Sequence, residues 1–319
     1  MQEFVCYQAI DAKIKNRKNI LLKLAELERK YTHKQLHRGE LEVELDRLIV
    51  AEIEKMMHYL SAGYRDFFRL FLRQFDIHDV QLIFRTLIKD ERNIDVSKYF
   101  IHSEKYTKIN YPKLLEAKNI DEFSKVLKGT IYHQTLDSMS HEDVCTREWH
   151  VEMKVSTTYY KMLFDKTELL DDKDEAIAKR ILGLKIDRLN IEWIYRAKRY
   201  YSISDQEILI YTLGGGYHLT YTRLKQLIYT NDIEHFRQLA NKYMNCEIFG
   251  IKDNLLEKRL DRIFYGELNK KQNKDGIGHL IGHIYKLQIE LADIISTAEG
   301  VRYSLTRDEI KPYLVSTIV

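Results

Sequence analysis

One short pattern occurs three times along this chain, and it limits the available folds more than any other feature. Phe75-Asp76-Ile77-His78-Asp79-Val80, Ile186-Asp187-Arg188-Leu189-Asn190-Ile191 and Ile289-Glu290-Leu291-Ala292-Asp293-Ile294 share one form. Each has an apolar residue, an acid, two variable residues, Asp or Asn, and a β-branched residue. The copies lie 111 and 103 residues apart. A second marker, Ile120-Asp121-Glu122-Phe123, returns 113 residues later as Ile233-Glu234-His235-Phe236. A third aligns Tyr201-Ser202-Ile203-Ser204-Asp205-Gln206-Glu207-Ile208 on Tyr303-Ser304-Leu305-Thr306-Arg307-Asp308-Glu309-Ile310 without gaps. Self-similarity at a fixed period marks a chain built from repeated units. Three are expected, at 1–108, 109–217 and 218–319.

All three units read as helical. Two prolines and thirteen glycines in 319 residues leave little punctuation, so long helices are the default. Residues 1–46 read as two helices, Tyr7 to Lys30 and a second through Leu45, with a break at Thr32 or His33. The apolar period then continues from Leu45 to Ile88, past Gly63, and a break is expected at or just before Asp76. Residues 91–112 are polar and irregular, and 136–150 form a loop or short helix. Tyr159, Tyr160 and Leu163 open one long helix, and Phe264, Tyr265 and Leu268 open its counterpart. From Ile186 to Gly216 the pattern predicts an amphipathic helix, a capped turn, a short helix and a glycine stop. Ser204 with Glu207 and Thr306 with Glu309 have the spacing of capping boxes.

Composition narrows the function classes. The 51 basic and 48 acidic residues leave a net charge of +3, a weak electrostatic footprint for nucleic acid. Cys6, Cys145 and Cys246 are widely spaced and odd in number, which suits a reducing compartment rather than a disulfide framework. The first residues turn charged too soon for a signal peptide, and no window approaches the twenty or so apolar residues of a membrane span. The 22 tyrosines suit broad helix–helix surfaces with hydroxyls near water.

No catalytic, cofactor or metal site is expected. Gly214-Gly215-Gly216 is followed by Tyr217-His218-Leu219, not the Gly-Lys-Ser/Thr of a phosphate loop, and reads as a helix stop. His279 and His283, like His33 and His37, have ligand spacing without a third ligand and read as surface or packing residues. Asp76, Asp187 and Glu290 sit one per unit, too dispersed to share a reaction. They are expected to favour a helix N-terminus or to pair with a local Arg or Lys. The run Trp193 to Tyr201 mixes bases and rings. It reads either as an RNA-binding surface or as a helix that packs Ile186, Trp193, Ala197 and Tyr200 inward and turns Arg196 and Arg199 to solvent or an acidic partner. Balanced charge favours packing.

Several of these residues resemble the C-subunit family of V/A-type rotary ATPases, whose member in the eukaryotic vacuolar enzyme is the d subunit. The resemblance is strongest in Ile186 to Ile191 with Arg196 to Tyr201. It extends to the glycines before Tyr217-His218-Leu219, to Ala298-Glu299-Gly300-Val301-Arg302-Tyr303, and to Ile310 with Tyr313-Leu314-Val315. The family usually has Asn where this chain has Asp293, and Asn or similar at Asp79. The resemblance implies an all-α funnel of three similar helical units about a pseudo-threefold axis. It implies a non-catalytic rotor part, one copy per complex and without cofactor, on the cytoplasmic face of the membrane rotor ring. The D and F subunits of the central shaft would enter the opposite opening, and torque would pass to a ring that moves protons or sodium ions. Arg196, Lys198, Arg199 and Arg302 are the candidate partner-facing residues. The rival reading is a helical-repeat scaffold or RNA-binding protein, whose period is ordinarily 30–50 residues. The Lys-, Ile-, Asn- and Tyr-rich composition fits a low-GC bacterium.

Overall fold

A computed structural model describes residues 26, 29–30, 37–89, 91, 94–138, 148–201, 203–250, 255–270 and 276–316. Every regular element among them is a helix. The chain divides into two compact units, 1–163 and 164–319.

In the first unit, α1 (Arg38–Met57) packs against α2 (Ala62–Ile88). Phe67, Phe68 and Phe71 of α2 are almost wholly buried, with ring centroids 5.6 Å apart. The long apolar pattern breaks at 58–61, not at Asp76 as its acid suggested. Arg65 supplies the reason: its guanidinium donates to the carbonyls of Met57 and Leu60 where α1 ends. Asp76 stays inside α2 because Arg73, one turn back, neutralises it at 2.8 Å. Short helices α3 (Tyr111–Leu115), α4 (Ile120–Val126) and α5 (Ile131–Asp137) follow, capped at Asn110 and Asn119 for the first two, and then α6 (Glu148–Asp165). Of the two helices expected in 1–46, the first lies outside the described residues except for 26, 29 and 30, which are helical. The second does not end at Leu45, which is buried within α1.

The second unit is built on α7 (Asp172–Tyr200). Asp172, Asp174 and Glu175 in its first turn and Lys198 and Arg199 in its last oppose the helix dipole with the favourable sign. After α8 (Asp205–Ile210) come α9 (Tyr221–Ile228), α10 (Ile233–Met244), α11 (Leu256–Leu268), α12 (Ile277–Arg302) and α13 (Arg307–Ile310). Ile191, Ile194 and Tyr195 of α7 pack with Leu227, Ile228, Phe236 and Phe249 in one apolar core. Tyr159 to Leu163 and Phe264 to Leu268 close α6 and α11 rather than open helices. Both capping boxes form, at Ser204–Glu207 and Thr306–Glu309.

Candidate functional site

The three copies of the repeated pattern lie within α2, α7 and α12, and in each the Asp or Asn grips backbone 22 or 23 residues downstream. On α2, Asp79 is wholly buried and accepts the amide hydrogens of Ile101 at 2.9 Å and His102 at 2.8 Å. The imidazoles of His78 and His102 approach the same carboxylate at 2.9 and 2.7 Å, and His102 stacks on Tyr111 at 3.8 Å. Burial pushes the Asp79 carboxyl upward, yet the bonds from both histidines and both amides hold it below the ordinary range. Asp76 accepts from the hydroxyls of Thr107 at 2.8 Å and Tyr111 at 3.1 Å.

On α7 the grip uses an amide. Asn190 accepts the Leu213 N–H and donates to the Leu213 carbonyl, each at 2.8 Å. Asp187, one turn earlier, accepts from the amides of His218 at 2.6 Å and Leu219 at 3.0 Å. Burial pushes its carboxyl up to about 7, against the pull of the His218, Leu219 and Tyr217 amides and the charge of Arg223. The glycines make this approach feasible. A Cβ at Gly216 would lie 2.3 Å from the Asp187 carboxylate, and one at Gly183 would lie 2.9 Å from the Tyr217 nitrogen. Gly215 supplies a positive φ of 86°. The triple glycine thus lays a loop against α7, and α8 itself has already ended at Ile210.

On α12, Asp293 accepts from the Val315 amide at 3.0 Å and from both the amide and hydroxyl of Ser316, at 2.6 and 2.7 Å. Arginines brace two of the three turns at matching places. Arg47 donates to the carbonyls of Lys98 and Phe100, and Arg262 to those of Pro312 and Leu314. The gripped segments are themselves related. Val96, Ile208 and Ile310 are buried, Tyr99, Tyr211 and Tyr313 follow three residues on, and Ile101, Leu213 and Val315 follow two after that. Sequence reasoning missed the set, because it extended the repeat only as far as Ile208 and Ile310. The recurring apolar-x-x-Tyr-x-apolar spacing was the available signal. With their lone pairs occupied by amides and hydroxyls, these carboxylates hold backbone in place.

The four candidate partner residues lie at the ends of α7 and α12. Arg196 is exposed and pairs with Glu257 at 3.2 Å and Glu192 at 3.4 Å. Lys198 is largely covered, bonded to Asp205 at 3.2 Å and to the Ile228 carbonyl at 2.5 Å. Arg199 is exposed, and so is Arg302, whose guanidinium lies 3.6 Å from Glu299. Ile186 is buried and Trp193 and Ala197 are half-buried, but Tyr200 is 65% exposed and does not join the packed face. His279 and His283 are half-buried on α12, His37 caps α1, and His33 lies outside the described residues. Among the described residues no group of three His, Cys, Asp or Glu side chains could hold a metal ion. Cys246 is a free thiol, and Cys6 and Cys145 lie outside the described residues.

A profile of the ATP synthase (C/AC39) subunit family matches residues 21–313, nearly the whole chain. The chain belongs to that family. Among its relatives, the A-type ATP synthase C subunit of Thermococcus kodakarensis is 25% identical over 234 residues, 69% of this chain and 61% of that protein. The protein of the same name from Methanocaldococcus jannaschii is 24% identical over 261 residues, 78% and 65% of the two chains. Its Methanosphaera stadtmanae counterpart is 24% identical over 296 residues, 86% and 74%. The first relatives are thus matched over about three fifths of their own length. A rotary-ATPase subunit is therefore the class to which the clasped helices belong. Among the described residues no helix is long and apolar enough to cross a membrane.

Proposed function

We propose that this chain is a non-catalytic central-rotor subunit, an adapter that links the D and F subunits of the shaft to the membrane rotor ring. It sits on the cytoplasmic side of the membrane, one copy per complex, and passes torque for ATP-driven transport of protons or sodium ions. Family membership over residues 21–313 carries this reading. The three clasps support it, because each ties a long helix to a following turn by buried, charge-assisted or paired hydrogen bonds, which suits a part that must transmit force without yielding. They also support three similar units at 1–108, 109–217 and 218–319, arranged as a pseudo-threefold funnel.

On this reading Arg196, Arg199 and Arg302 mark a partner-facing rim, and Lys198 shapes it by holding the turn after α7. Exposed apolar surface accompanies them: Tyr200, Tyr201, Val301 and Tyr303 are 53–70% exposed. Membranes from cells lacking the chain test the proposal. ATP hydrolysis by the catalytic head persists, ATP-driven ion uptake is lost, and adding the purified chain restores it. Full ion uptake without the chain would overturn the adapter role.

A further inference from the structure

The loop that Asp187 holds carries a cluster the clasp does not use. Arg180 lies on α7 one turn before Gly183, and its guanidinium sits 5.4 Å from the centroid of the Tyr217 ring. Its Nε–H is buried with no acceptor among the described residues, and a buried donor without a partner is rare enough to require an explanation. Arg223 is exposed, donates to the His218 carbonyl at 2.6 Å and lies 5.2 Å from the Tyr243 ring centroid. The His218 ring meets Tyr217 edge-on, and Lys270 is exposed nearby. Among the described residues the carboxylates facing this cluster are Asp187, occupied by the loop amides, and Glu267, which pairs with Lys270. Burial lowers the His218 pKa; Glu267 opposes this, and Arg223, Lys270 and Arg180 add to it.

We propose that Arg180, Arg223 and His218, around the half-exposed ring of Tyr217, form a docking site for a carboxylate-bearing segment of a partner protein. A guanidinium fork takes a carboxylate bidentately, and a tyrosine at the centre of a basic patch gives the apolar anchor that protein interfaces favour. A polyanion is the poorer fit, because a net charge of +3 gives little long-range attraction for one. The site deepens the rotary-complex reading and rests on it.

The test uses the complete complex, captured through a tag on this chain and washed with rising NaCl from about 0.1 to about 1 M, across which surface charge pairs are progressively screened. The double variant Arg180→Glu, Arg223→Glu is expected to lose a companion protein of the complex at several-fold lower salt than the wild type. Arg180→Gln with Arg223→Gln is expected to fall between them. Lys128→Glu, in the first compact unit, is the charge control and should match the wild type. Wild-type salt resistance in the Glu double variant overturns the proposal. Should that variant melt early, the Gln pair decides, and unchanged resistance there overturns it too. Loss of binding to phosphatidylglycerol vesicles or RNA, with the complex intact, would reassign the patch. A wild-type chain that captures no other rotary-ATPase component would instead sink the reading beneath it.

Discussion

At the scale of single residues, the identity of the gripping side chain matches what it grips. Asp79 and Asp293 each take two successive N–H groups and a further side-chain partner, His102 or the Ser316 hydroxyl, which the several lone pairs of a carboxylate accommodate. Asn190 instead pairs with the N–H and the C=O of one residue, which requires an amide. Asp79 and Asp293 therefore make a different grip from that of Asn190. Asn190→Asp would set a carboxylate against the buried Leu213 carbonyl. We expect it to destabilise the protein by about 3 kcal/mol, as for other buried unpaired charges, measured by urea unfolding. A midpoint equal to wild type would contradict the assignment. Asp187 gives a pH prediction. Its folded pKa of about 7 lies above the ordinary 3.8, so its favourable contribution is complete below about pH 4 and is lost as pH rises through 7. Stability against pH should fall less steeply over that window in Asp187→Asn than in wild type.

At the scale of elements, the loops depend on close approach more than on turn propensity. Gly216→Ala drives a methyl into the Asp187 carboxylate and the Leu219 carbonyl, whereas Gly214→Ala meets nothing within 4 Å. The first should cost roughly 2–4 kcal/mol and the second under about 0.5 kcal/mol, the usual scales for strain and for open surface sites. Thermal unfolding of the pair separates this account from a generic need for glycine in a helix stop. Arg262→Ala removes the brace on the Pro312 and Leu314 carbonyls, and amide exchange across 311–316 should quicken more than elsewhere in the second compact unit. Much of this was legible from the residues alone. Helix type followed from scarce Pro and Gly, and both capping boxes from their spacing. The break before Ser61 was missed because its stabiliser, Arg65, acts through carbonyls it is not adjacent to in sequence. Asp76 pairs with a local arginine, Arg73, as expected, whereas the grips of Asp187 and Asp293 were missed because amides 22 to 32 residues away carry no side-chain signature.

At the scale of the molecule, a repeat of one helix-and-turn device supplies stiffness, and family membership supplies the setting in which stiffness is useful. Asp79, Asp187 and Asp293 of the repeated pattern are each spent on holding a turn. On the proposed reading function lies in surfaces, and the exposed tyrosines and arginines at the ends of α7 and α12 are where we place the contact with partners. The most direct test is capture of the tagged chain from its own detergent-solubilised membranes, with the companions identified by mass. Recovery of the D and F shaft subunits together with the lipophilic ring protein is the predicted result. Recovery of RNA or unrelated soluble proteins in their place would contradict it.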